Sequence, residues 1–139
     1  MSQRKEEKRT YKIGDISEAR FISDALSKGF IISKPFGNSD KYDFILDSGK
    51  ILYKVQVKTA NFYDDKKRRY VCSAVSGRFG KSKLYSDKEV DIVAIWVPST
   101  IYWYIIPTKN IDVKTLSVYP HYESKAKYEK FKNAWELLK

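Results

Sequence analysis

The run Val90-Asp91-Ile92-Val93-Ala94-Ile95-Trp96-Val97 constrains this chain more than any other segment. Apart from Asp91 it is apolar without alternation, the pattern of a strand buried on both faces rather than one with a wet side. Such a strand lies inside a sheet, with other strands beside it and further elements above and below. Pro98-Ser99-Thr100 reads as a turn, and residues 102–106 return as the pairing partner. Tyr102, Trp103 and Tyr104 in that partner read as strand packing rather than as base-stacking residues. The apolar stretch 92–98 is only about a third of what a membrane-spanning helix needs, so no membrane partner is expected.

The rest of the chain supplies the flanking elements. Residues 1–12 carry mixed charge without periodicity and read as a basic arm, expected to fray. Ile16, Ala19, Ile22 and Leu26 then recur at helical steps, and Gly29 supplies a stop, so a helix is predicted over about 16–28. Residues 30–33 form a short strand ended by Lys34-Pro35, and residues 36–40 are turn chemistry. Residues 42–46, the turn 47–50 and residues 51–59 read as a β-hairpin. In its second strand Tyr53, Val55 and Val57 face the core while Lys54, Gln56 and Lys58 share a polar face.

Residues 64–69 are read as an exposed hairpin tip, 70–75 as a strand and 76–88 as a basic loop. Tyr128, Phe131, Trp135 and Leu138 predict an amphipathic helix within 123–139. The fold class expected is α/β, a mixed central β-sheet with flanking helices in one domain spanning 1–139.

Charge narrows the partner. Lys and Arg total 27 against 17 Asp and Glu, a net +10 on 139 residues, so a polyanion is the natural partner. Lys66, Lys67, Arg68, Arg69, Arg78, Lys81 and Lys83 concentrate that charge and are the candidate DNA contacts, mainly to phosphates. Arg68, Arg69 and Arg78 have the fork geometry suited to base edges. The single Cys72 and single His121 exclude disulfides within the chain and histidine-based zinc sites; His121 reads as a surface loop residue. The charged N-terminus has no apolar segment behind it, which predicts an intracellular protein.

Against this basic background, Glu18 on the first helix, Asp43 opening the hairpin, and Gln56 and Lys58 on its polar face fall where they can meet. Residues equidistant from a tight turn face each other, and a turn centred between 48 and 49 sets Asp43 opposite residue 54, beside Gln56. Two acids, an amide oxygen and a lysine suit a hard divalent cation such as Mg²⁺, with Mn²⁺ able to substitute, and hence phosphodiester hydrolysis. Each piece also has a plainer reading. Asp15-x-x-Glu18 is a capping-box pattern, Asp43 a strand-start acid, and Gln56-Val57-Lys58 the solvent face of a half-buried strand.

The combination Gly14-Asp15-Ile16-Ser17-Glu18-Ala19, Pro35-Phe36-Gly37-Asn38 to Tyr42-Asp43, and Val55-Gln56-Val57-Lys58-Thr59 resembles the PD-(D/E)XK nuclease superfamily. Within it the likeness is to the small subgroup of a bacterial group I intron homing endonuclease, over roughly residues 13–107. The resemblance implies a restriction-endonuclease-like core with Glu18, Asp43, Gln56 and Lys58 as catalytic residues. It further implies Glu18, Asp43, Gln56 and the Val57 carbonyl as metal ligands. Gln56 stands where most of the superfamily has an acid, an exchange that the homing subgroup tolerates but that removes a charge and weakens the case for two metals.

Double-stranded DNA is the implied substrate. One site per chain implies a homodimer or homotetramer, with the C-terminal helix, Trp135 and the last strands as interface candidates. A Holliday-junction resolvase, or a DNA-binding module that has lost catalysis, remains an alternative on these residues.

Overall fold

The computed structural model describes residues 3–37, 41–76 and 83–139. A five-stranded mixed sheet organises the chain. Its strands are β1 (Ile31–Ser33), β2 (Phe44–Asp47), β3 (Leu52–Thr59), β8 (Ile92–Trp96) and β9 (Trp103–Pro107), in the spatial order β1-β2-β3-β8-β9. β8 is the apolar run, and all five of its residues are buried. It pairs parallel with β3 and antiparallel with β9.

Asp91, the polar exception, begins this parallel pairing. Its carboxylate accepts the Lys54 N–H at 2.8 Å, and its own N–H donates to the Lys54 carbonyl at 2.9 Å. A second sheet orders β10 (Thr115–Val118), β5 (Arg69–Ser73) and β4 (Phe62–Asp64), and β6 (Val75–Ser76) pairs with β7 (Lys83–Leu84).

Helix α1 runs from Gln3 to Ser27, more than three turns longer than the periodicity predicts, and takes in the arm that was expected to fray. The arm is rich in Gln, Arg, Lys and Glu, all strong helix formers, so its charge pattern concealed its propensity. Glu18 therefore lies inside the helix and not in its first turn, and Asp15 is no cap. The stop does fall at Gly29, which takes φ 89° and lets the Phe30 N–H close back on the Ala25 carbonyl at 3.2 Å.

The predicted apolar stripe is not the face of α1 that packs on the sheet, since Ile16, Ala19 and Leu26 are exposed; the buried face is Ser17, Phe21 and Ala25, and Phe21 has no exposed surface. Its ring stacks on Phe44 and Trp135 at 5.5 and 5.8 Å and meets the edge of Trp103 at 5.5 Å. Burying side chains of this size contributes about 1.5–3 kcal/mol each, which fixes the helix over β2 and β9. Cys72, Leu116 and Val118 of the second sheet join the same core.

The predicted C-terminal helix does not form. Two 3₁₀ turns, Glu129–Phe131 and Trp135–Leu138, replace it. Asn133 between them takes φ 52°, which a continuing helix cannot accommodate. Backbone and side chain of Asn133 serve the edge of β9 instead: its N–H donates to the Trp103 carbonyl at 2.6 Å, and its Oδ1 accepts the Trp103 N–H at 3.0 Å. The apolar periodicity was real, since Tyr128, Phe131, Trp135 and Leu138 are all buried, but an edge-strand contact competes with the helix and wins. Trp135 is core and not an interface residue. Among the described residues α1 is the only α-helix, and no helix is long and apolar enough to cross a membrane.

Candidate active site

The site is built where β2 ends and β3 continues. β2 pairs with β3 from Asp47↔Leu52 to Phe44↔Val55, so the turn spans residues 48–51 and its centre lies one residue beyond the predicted one. Gly49 at φ 89° and the Asp47 carboxylate, which accepts the Gly49 N–H at 2.7 Å, set this shifted turn of the predicted length. Extending the register by one residue places Asp43 across from Gln56 and not residue 54. A shift of two residues keeps every side chain on its predicted face.

Among the described residues, β3 beyond Val55 has β8 on one side and no strand on the other. The Val57 N–H on that open side is taken by the Asp43 carboxylate, with Oδ2 accepting at 2.8 Å. The Val57 carbonyl points the same way, because N–H and C=O of one strand residue share a direction, and among the described residues it too lacks a ladder partner. It accepts a long 3.4 Å hydrogen bond from the Gln56 side-chain amide. Asp43 is thus fixed by the backbone it replaces a strand to serve, and a carbonyl is left facing the cleft.

Glu18 reaches this point because α1 is tied to β3 next to it. The Ser17 hydroxyl, 1% exposed, lies 2.6 Å from the Thr59 hydroxyl. Ser17 and Thr59 each adjoin a predicted site residue, yet sequence reasoning passed them over, since a helix Ser and a strand Thr carry no long-range signal. A cleft of about 340 Å³ results, lined by Ile13, Gly14, Glu18, Asp43, Gln56, Val57, Lys58, Thr59 and Asn61. All five predicted catalytic and metal-ligating residues are in that lining. A Cβ added to Gly14 would meet no protein atom within 4 Å, so this mid-helix glycine leaves the cleft mouth open.

The electrostatics suit a cation. Burial raises the Glu18 carboxyl above its ordinary range; neighbouring Asp43 and Asp15 push it further and Lys34 opposes them. Burial likewise raises Asp43, against the Val57 N–H and the charges of Lys58 and Lys34. Both acids are therefore held where their charge is costly, a cost a bound cation removes. Among the described residues no three His, Cys, Asp or Glu side chains gather as a metal-binding group. A cation here would draw on two carboxylates, the Gln56 amide oxygen and the Val57 carbonyl, all hard oxygen donors that match Mg²⁺. Lys34, missed in the sequence because it sits in a strand-ending Lys-Pro pair, is a basic group whose charge reaches both acids, whereas that of Lys58 acts on Asp43.

Lys58 is restrained on the polar face of β3. Its ammonium donates to the Val75 carbonyl at 3.2 Å and lies 5.5 Å from the centroid of the Tyr85 ring.

The candidate DNA contacts divide. Lys66, Lys67 and Arg68 are exposed in the turn joining β4 to β5, as the hairpin-tip reading required. The Arg68 guanidinium lies 4.9 Å over the Tyr122 ring, and Arg69 pairs with Asp64 at 3.3 Å, so both arginines are held rather than loose. Lys83 is exposed on β7. Arg78 and Lys81 lie outside the described residues, as do residues 38–40 of the predicted turn. His121 has a partner the sequence did not reveal: its Nε2 is 3.0 Å from the Tyr70 hydroxyl.

A search of the curated proteins returns no match. Among solved structures the chain is similar to a bacterial homing endonuclease, I-Ssp6803I, at 25% identity and a TM-score of 0.79, over 90% of this chain and 89% of that one. The profile of the PD-(D/E)XK endonucleases matches residues 8–138, which is nearly the whole sequence. With the expected core sheet in place and the motif residues of α1, β2 and β3 converging on one cleft, the chain belongs to the PD-(D/E)XK endonuclease family.

Proposed function

We propose that this nuclease is a Mg²⁺-dependent, site-specific DNA endonuclease of the homing type. The observation that carries the reading is the single cleft in which Glu18, Asp43, Gln56, Val57 and Lys58 meet. The likeness to a bacterial homing endonuclease supports the finer assignment.

In this reading Glu18, Asp43, the Gln56 amide oxygen and the Val57 carbonyl hold Mg²⁺. Asp43 uses Oδ2 for the Val57 N–H, so Oδ1 is the oxygen it offers the ion. When bound, the ion supplies Lewis-acid stabilisation of a phosphate oxygen and acidifies water. Rotation of the Gln56 amide about χ3 exchanges its nitrogen for its oxygen at no steric cost. Lys58, as an ammonium, orients the attacking water and offsets charge on the phosphorus, and the positive charge of Lys34 reaches both acids. Lys66, Lys67, Arg68 and Lys83 grip the phosphate backbone of the duplex. One cleft per chain cuts one strand, so cleavage of both calls for a homodimer or homotetramer.

Selection of cleaved sites from a randomised duplex library in Mg²⁺ tests the proposal. A single enriched site of many base pairs is the expected result. Equal cutting of all duplexes would remove the site-specific assignment, and preferential cutting of four-way junctions would replace it with a resolvase.

A further inference from the structure

Lys58 is the longest side chain in the cleft lining, and an unrestrained lysine ammonium samples many rotamers. Two groups outside the cleft lining restrain it. The first is the Val75 carbonyl of β6, which accepts from Nζ at 3.2 Å. The second is Tyr85, the residue after β7, whose ring centroid is 5.5 Å from Nζ, inside the range of a cation–π contact. The positive charge of the ammonium lowers the phenol's pKa against the upward push of burial. Tyr85 is only partly exposed and packs against the hydrophobic core, so its ring is itself fixed. β6 and β7 pair through Val75↔Leu84, so the two restraints arrive on neighbouring strands.

Resting on the function proposed above, we propose that Tyr85 is a positioning residue for cleavage, one that holds the Lys58 ammonium at its working point through its ring. It lies outside the cleft lining. Its loss should therefore slow the chemical step and leave DNA binding alone.

The test uses the full chain and its cleavage site. Single-turnover cleavage in Mg²⁺ is measured against protein concentration for wild type, Tyr85→Phe and Tyr85→Leu, with DNA affinity measured separately in the absence of Mg²⁺. Tyr85→Phe keeps the ring and should keep the wild-type maximal rate within about twofold. Tyr85→Leu loses the ring and should fall by about tenfold or more. In both variants the protein concentration giving half-maximal rate and the DNA affinity should match wild type.

A folded Tyr85→Leu variant at wild-type maximal rate overturns the inference, and so does a Tyr85→Phe variant that falls as far as Tyr85→Leu or a loss confined to DNA affinity. Should Tyr85→Leu fold poorly, Tyr85→Met, which keeps apolar bulk without a ring, decides in its place. If wild type cuts no DNA, the proposed function fails; if wild type cuts and the ring-free variant cuts equally fast, only the role of Tyr85 does.

Discussion

The contact between Ser17 and Thr59 offers a quantitative test of how the fold places Glu18. Ser17 is 1% exposed and its hydroxyl is 2.6 Å from that of Thr59, which is only half-buried. Ser17→Ala removes one partner and leaves the Thr59 hydroxyl partly reachable by water, a cost of about 1.5 kcal/mol. For a domain of this size that is a fall of about 6 °C in Tm. Thr59→Val leaves the buried Ser17 hydroxyl with no partner, and the cost rises to about 2 kcal/mol.

The double variant removes both hydroxyls, so neither is stranded, and it should lose less than the sum by about 1 kcal/mol or more. Urea unfolding of the four proteins measures the coupling. Cleavage rates provide the functional arm: each variant loosens the hold of α1 on β3 beside Glu18, and a misplacement near 1 Å can cost tenfold or more. Additivity of the two single variants within about 0.3 kcal/mol, or a wild-type cleavage rate in all three, would refute the account of helix anchoring.

The remaining expectations concern charge. Asp43 and Glu18 titrate above their ordinary values of 3.8 and 4.5, so the folded state holds their protons more tightly than the unfolded one. Stability attached to that difference is lost as pH rises through the window between ordinary and raised values, and Asp43→Asn in metal-free buffer should gain melting temperature relative to wild type over that rise. A relative loss would reverse the sign of the argument. Gln56→Glu adds a negative ligand and should tighten Mg²⁺ binding in calorimetry; unchanged affinity would remove Gln56 from the ligand set. DNA affinity should fall steeply with salt, and Lys66→Ala with Lys67→Ala should each reduce the slope of log affinity against log salt by about one. A slope unmoved by both would take the β4–β5 turn off the DNA.

Sequence patterns read the centre of this fold more readily than its ends. β8 was legible because an apolar run without alternation has few other uses, and the facing of Gln56 and Lys58 followed from period-two alternation alone. The same period makes facing survive an error of register: the turn between β2 and β3 sits one residue later than predicted, yet Asp43 still shares the face of Gln56. The ends were misread for opposite reasons. Helix propensity in residues 3–12 hid behind charge, while apolar periodicity near Trp135 promised a helix that the β9 edge and Asn133 redirect. In the cleft, the residues named by motif came together, whereas Ser17, Thr59, Lys34 and Tyr85 act through contacts between distant segments that no local pattern encodes.

The central claim is that the cleft between α1, β2 and β3 cuts DNA. The most direct measurement incubates duplex carrying the selected site with wild type, Asp43→Asn and Lys58→Ala, each with Mg²⁺ and each with a chelator. Cleavage by wild type in Mg²⁺ alone, with both variants folded, DNA-binding and slower by about a hundredfold or more, is the predicted result. Equal cleavage by all three proteins, or cutting that persists in the chelator, would contradict it.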